Sequence, residues 1–150
     1  MESATEKNLE TTIIEYLRAR GFYCQKIQSG AMFVKRGPHT YKVKLADEGT
    51  PDIMASIHGR FVGIEVKVSP EEQAEWDRQW EKHLETKQFK PSWQRSIMQH
   101  TEHNKIRDGN AAGEVIVCSS VDELHKDIEF LLNEWGIKQP GDLKKPPRVD

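Results

Sequence analysis

The sequence predicts a mixed α/β fold, a central sheet with helices packed against it, and three observations predict it. Apolar residues recur at helical spacing near the start, in the second half and near the end of the chain. Several short β-prone runs, separated by turn residues, follow one another between the first two helices, and one more precedes the last helix. Strands in succession followed by helices favour a mixed sheet over a regular alternation of strand and helix.

The elements follow in order. Leu9, Ile13, Tyr16 and Leu17 form one stripe of a helix from about Thr5 to Arg20, which Gly21 stops. Phe22 to Ile27 alternates as a strand and ends at Ser29-Gly30. Met32 to Lys35 and Tyr41 to Leu45 read as two strands separated by Gly37-Pro38, and Ile53 to Ile57 and Phe61 to Val68 as two more. Ser69-Pro70-Glu71-Glu72 starts a helix, with a capping hydroxyl, a proline in the first turn and acids at the positive end of the dipole. Trp76, Trp80 and Leu84 continue it on one stripe. A further helix runs from about Ser92 to Arg107 and breaks at Asp108-Gly109-Asn110. Glu114 to Cys118 is a short strand, and Ser119 or Ser120 caps a final helix that reaches Trp135 and stops at Gly136. Residues 1–137 are expected as one domain with a helical insertion at about 70–95, and residues 138–150 as a flexible C-terminal tail.

A chain of 150 residues has room for one modest core. Its 36% hydrophobic and 31% charged residues describe a globular protein, and no apolar run approaches the length of a membrane span. The acidic start, Met1-Glu2-Ser3-Ala4-Thr5-Glu6, lacks the apolar stretch of a signal peptide, so the expectation is a cytoplasmic protein with no membrane partner. Cys24 and Cys118 stand alone, which argues against a disulfide framework or a zinc knuckle; both read as buried apolar residues.

The net charge of −2 conceals an asymmetry. From Tyr16 to Ala46 there is no acidic residue, yet the stretch holds Arg18, Arg20, Lys26, Lys35, Arg36, Lys42 and Lys44. It suits a polyanion-binding face; a solvated surface with chance clustering is the alternative.

Gly49-Thr50-Pro51-Asp52 and Ile64-Glu65-Val66-Lys67 carry the chemistry. If His58-Gly59 is a two-residue hairpin loop, Ile57 faces Arg60 and, counting back, Asp52 faces Glu65. Opposed residues in an antiparallel pair have Cβ atoms roughly 4.5–5.5 Å apart, close enough for both carboxylates to share one cation. Lys67 projects on the face of Glu65, while Ile53, Ala55, Ile57, Val62, Ile64, Val66 and Val68 project on the other. Like charges placed face to face need a proton, a basic partner or a divalent ion, and oxygen ligands suit Mg²⁺. The bland alternative is a solvated strand end where Lys67 pairs with one carboxylate.

Asp52 after Pro51, then Glu65-Val66-Lys67 on the adjacent strand, resembles the PD-(D/E)XK nuclease superfamily. Gly49-Thr50-Pro51-Asp52-Ile53, the helix from Glu10 to Arg20 ending at Gly21, and the Gln-containing helix before Val115-Ile116-Val117 stand in the order of its VRR-NUC and archaeal-type Holliday-junction resolvase branches. The resemblance covers about residues 6–124. It implies a restriction-endonuclease-like core, αβββαβ, with a helical insertion after the strand that ends in Glu65-Val66-Lys67.

By that resemblance Asp52 and Glu65 bind the metal, the Val66 carbonyl is a further ligand, Lys67 is the catalytic lysine, and a glutamate of the first helix completes the set. Glu10 is chosen for that role, with Glu6 one turn away on the same face as the alternative. Ser29 resembles the serine of a phosphate-touching Ser-Gly loop. Gln99 fills the glutamine role, although the helix after Lys67 departs from the family's short connection and leaves Gln94 or Gln73 as alternatives. Trp76, Trp80 and Trp93 suit base stacking or a dimer contact, against plain packing on their own domain. His100 and His103 have a metal-compatible spacing but no third ligand nearby, and His58 reads as a turn residue.

The function so implied is a Mg²⁺-dependent endodeoxyribonuclease, with Mn²⁺ able to substitute and no small-molecule cofactor. It acts as a homodimer on branched DNA, in the manner of a Holliday-junction resolvase. Lys26, Lys35, Arg36, Lys42 and Lys44 are expected to join Ser29 in holding the DNA. Alternatives are a restriction-type or nicking nuclease, and a non-catalytic nucleic-acid-binding module with the same fold.

Overall fold

The structure is a computed structural model that describes residues 4–28, 31–44, 46–108 and 112–137; the side chains at 4, 31, 32, 34, 43 and 44 lie outside that description. Ser29, the break at 109–110 and the tail over 138–150 therefore fall outside the described residues, as does the side chain of Lys44.

Helix α1 (Ala4–Ala19) buries Ile13 and Leu17 and ends where the Phe22 N–H donates back to the Leu17 carbonyl. Strand β1 (Tyr23–Lys26) follows, then β2 (Ala31–Arg36) and β3 (His39–Lys44), then β4 (Ile53–Ile57) and β5 (Arg60–Val66). Helix α2 (Pro70–Thr86) starts as its sequence requires: the Ser69 hydroxyl accepts from the Glu72 N–H at 3.1 Å, with Pro70 in the first turn. A 3₁₀ turn (Pro91–Trp93) leads into α3 (Gln94–Arg107), then β6 (Glu114–Cys118) and α4 (Val121–Glu134), whose cap is Ser120.

Four strands make one mixed sheet in the order β1-β4-β5-β6. Strands β1 and β5 run antiparallel to β4, and β6 runs parallel to β5. A parallel pair needs a long crossover, and α2 with α3 supplies it. β2 and β3 do not join this sheet. They pair with each other as a two-stranded ribbon inserted between β1 and β4, its base closed by the Ala46 N–H donating to the Gln28 carbonyl at 3.1 Å.

The core lies on one side of the sheet, where Ile13 and Leu17 of α1 and Leu124, Ile128 and Leu132 of α4 meet Ile53, Ala55, Ile57, Val62, Ile64 and Val66. The apolar face expected of the β4–β5 hairpin is thus the one that packs, although β5 ends at Val66, short of Val68. The Val68 N–H has left the ladder and donates to the Glu72 carboxylate at 3.3 Å. No helix among the described residues is long and apolar enough to cross a membrane.

Candidate metal and catalytic centre

A type I′ turn needs positive φ at both central residues, and His58 (φ 49°) with Gly59 (φ 78°) provides it. The turn sets the register: Ile57 faces Arg60 and Ile53 faces Ile64. One residue further, Asp52 steps out of β4. Its Oδ2 accepts the Val66 N–H at 2.8 Å, and its carboxyl meets that of Glu65. Val66 thus enters the centre through its amide, while its side chain packs in the core. Gly49 fixes the approach to Asp52 from the other side. At φ 90° its Cα lies so close to α3 that an added Cβ would sit 2.5 Å from the Met98 carbonyl oxygen.

Helix α1 contributes two carboxylates where sequence reasoning chose between them. Glu6 and Glu10 are one turn apart, so both reach the same point, and one oxygen from each lies within 4.8 Å of the others and of an Asp52 oxygen. Lys26 of β1 pairs with Glu10 at 2.8 Å, and Arg95 of α3 stands 3.8 Å from Glu6. Lys26, expected on a DNA-binding face, therefore sits beside the carboxylates. Lys35, Arg36 and Lys42 are exposed on the β2–β3 ribbon.

The centre is covered, which its sequence did not suggest. Glu65 is 0% and Lys67 1% exposed, because α3 closes the face of β5 that carries them. The fit has a simple metric. Residues i and i+2 of a strand are about 6.6 Å apart, and i and i+4 of a helix rise about 6 Å. Gln99 and His103, one turn apart on α3, therefore match Lys67, just past the end of β5, and Glu65 within it. The Lys67 ammonium donates to Gln99 Oε1 at 2.9 Å, and His103 Nε2 lies 3.0 Å from Glu65 Oε1. Trp76 of α2 donates its indole N–H to the same Gln99 oxygen at 2.6 Å and holds its ring 4.6 Å from the Lys67 ammonium.

Burial is the largest cause of displaced titration at Asp52, Glu65, Lys67 and His103. Burial first, then the Glu65 carboxylate, pushes Asp52 up to about 8. Burial also raises Glu65, with Asp52 and Lys67 pulling the other way. Burial lowers Lys67 against the attraction of Glu65. His103 is held down to about 4 by burial and then by Arg107, so its ring is neutral and its Nε2–H is free to donate to Glu65. Carboxylates gathered this closely, with one oxygen each of Glu6, Glu10 and Asp52 within 4.8 Å of one another, form a donor set of oxygens that fits a hard divalent ion.

The remaining expected residues divide clearly. Gln94 is exposed and Gln73 donates to the Val117 carbonyl, so Gln99 is the glutamine at the centre. Trp76 and Trp80 stack on either side of His100, with ring centroids at 3.6 and 5.0 Å, and Trp93 is buried; they pack within their own domain. His100 faces Ser96 and Asp77 while His103 faces Glu65, so the two rings do not converge on one metal. Sequence reasoning missed His103 as a partner of Glu65 and passed over Arg95. The i,i+4 spacing of Gln99 and His103, set against i,i+2 of Glu65 and Lys67, was the available signal.

Comparison with protein-family models, with curated proteins and with solved structures finds no match for this chain.

Proposed function

We propose that this chain is a Mg²⁺-dependent endonuclease with a restriction-endonuclease-like core, of the PD-(D/E)XK kind, hydrolysing phosphodiester bonds of branched DNA as a Holliday-junction resolvase does. The observation that carries this reading is the meeting of Glu6, Glu10, Asp52 and Glu65 with Lys67 at one end of one hairpin. A buried structural site would gain nothing from so many like charges, whereas a cation site requires them.

Glu6, Glu10 and Asp52 would hold the ion, with Glu65 beside them; Mn²⁺, of similar charge and preference for oxygen, would substitute. When bound, the ion supplies Lewis-acid stabilisation of the charge that develops on the phosphate and leaving oxygens. His103 holds Glu65 in one orientation through its Nε2–H. Gln99 and Trp76 hold the Lys67 ammonium, of whose three donors one goes to Gln99, leaving others to serve an attacking water or a phosphate oxygen. The ribbon cations Lys35, Arg36 and Lys42 bind backbone phosphate, which gives grip without sequence preference. Cutting two symmetric strands of a junction calls for two such sites, hence a homodimer, working on DNA in the cytoplasm.

The test is incubation with labelled four-way junction, flap, linear duplex and single-stranded DNA in Mg²⁺, Mn²⁺ or EDTA. Junction cutting in either metal and none in EDTA is expected, and Asp52→Asn should lower the rate at least ~10³-fold with binding largely kept. Undiminished cutting by Asp52→Asn, or wild-type binding without cutting in every metal, overturns the reading; the second result favours a binding module.

A further inference from the structure

A cleft of about 540 Å³ opens beside Asp52. One wall is the loop through Gly49 and Thr50 that delivers Asp52; the other is the 3₁₀ turn and the first turns of α3, including Ser92, Arg95 and Gln99. Its inner end thus reaches both Asp52 and the glutamine that holds Lys67. Among the residues lining it, Arg95 carries the positive charge, against the acids Glu48 and Asp52.

Arg95 is poised rather than fixed. Its side chain is 61% exposed, and its guanidinium lies 3.8 Å from Glu6, well beyond the 2.7–2.9 Å typical of a tight charge-assisted hydrogen bond. Glu6 is also one of the three carboxylates that converge for a cation. With an ion bound by Glu6, Glu10 and Asp52, the Glu6 charge that now attracts Arg95 would be engaged by the ion, and the planar fork of Arg95 would be left to the cleft. That fork matches two oxygens of a phosphate.

We propose that this cleft receives the phosphodiester backbone of the substrate, with Arg95 exchanging the Glu6 carboxylate for phosphate oxygens once the carboxylates hold their ion. The inference rests on the nuclease reading above and adds where the substrate lies and which residue grips it. It also gives α3 a double role, in which one turn covers Glu65 and Lys67 and the turn before it binds substrate.

The experiment measures anisotropy of a labelled DNA duplex with wild type, Arg95→Ala and Arg95→Lys over a salt series in Ca²⁺, a hard ion that takes the same oxygen ligands. Mn²⁺ affinity without DNA and thermal melting are measured on the same proteins. Arg95→Ala should weaken DNA binding about tenfold and reduce the salt slope by about one, with Mn²⁺ affinity and melting unchanged. Arg95→Lys should restore the slope but only part of the affinity. Equal affinity and slope in Arg95→Ala overturn the proposal, as does a parallel loss of Mn²⁺ binding or melting temperature, since Arg95 then only supports Glu6. A wild type that binds DNA without cutting sinks the nuclease reading while these binding results still decide the role of Arg95.

Discussion

The β2–β3 and β4–β5 hairpins each reverse through two residues, Gly37-Pro38 and His58-Gly59, and each pairs its strands antiparallel. Their charged residues meet opposite surroundings. On the ribbon, Phe33, Lys35 and Lys42 share one face by register, Arg36, His39 and Tyr41 share the other, and all six are exposed. Glu65 on β5 and Lys67 just past its end lie under α3, each held by a side chain from one turn of that helix. A cation in water costs the fold almost nothing and is free to meet an external polyanion. A buried carboxylate or ammonium displaces its own titration and needs its partners in place. The same local architecture thus leaves cations in solvent in one place and buries a carboxylate and an ammonium in the other.

Among changes to the groups that hold Glu65 and Lys67, removing Gln99 or His103 has the largest expected effect. Gln99→Leu strips Lys67 and Trp76 of their shared acceptor, and His103→Leu strips Glu65 of its donor. Each should cost about 1–3 kcal/mol in denaturant unfolding. Each should also lower cutting or metal affinity roughly 10–100-fold, as loss of a group orienting a metal ligand does. Normal stability and normal rate in both variants would show that the buried contacts hold nothing.

A smaller effect comes from the charge of Asp52 itself. Its carboxyl is raised from 3.8 to about 8, so it favours the folded state while protonated. That contribution is full below about pH 4 and lost as pH rises through about 8. Relative to Asp52→Asn, the metal-free wild type should therefore lose stability over this window, and at pH 8 the variant should melt higher by ~2–4 °C per kcal/mol of relieved repulsion. Mn²⁺ should narrow the gap by stabilising the wild type alone. A gap independent of both pH and Mn²⁺ would mean that Asp52 ionises freely in the fold.

The smallest change in stability is expected on the ribbon. Lys35→Ala, Arg36→Ala and Lys42→Ala should each leave unfolding free energy within about 0.5 kcal/mol. Combined, they should reduce the salt slope of DNA binding by about three without altering Mn²⁺ affinity. A triple variant that binds DNA as the wild type does would remove the ribbon from the DNA-binding surface.

The site was legible where local rules govern it. The two-residue turn at His58-Gly59 carries positive φ at both positions and sets the register that leaves Asp52 beside Glu65, one residue beyond the ladder. Ser69 and Ser120 cap their helices as their sequences indicate. Glu6 and Glu10 stood as rivals because helical spacing places both on one face without saying what that face meets; in the fold the oxygens of both converge with one of Asp52. Lys26 shows the reverse failure. A run without acids looked like one cationic surface, but β1 lies in the sheet beside α1, where Glu10 claims its lysine.

By itself, then, the amino-acid order determined the strand alternation, the helix limits and the pairing of one aspartate with one glutamate, all properties of neighbours along the chain or across a tight turn. Tertiary structure alone decided that β2 and β3 leave the sheet as a ribbon, and that the turn of α3 bearing Gln99 and His103 closes over Lys67 and Glu65. It also decided that Arg95 lines the cleft beside Asp52. Those placements depend on a long crossover between parallel strands, whose docking is settled by packing across the whole molecule rather than by any residue's neighbours in sequence.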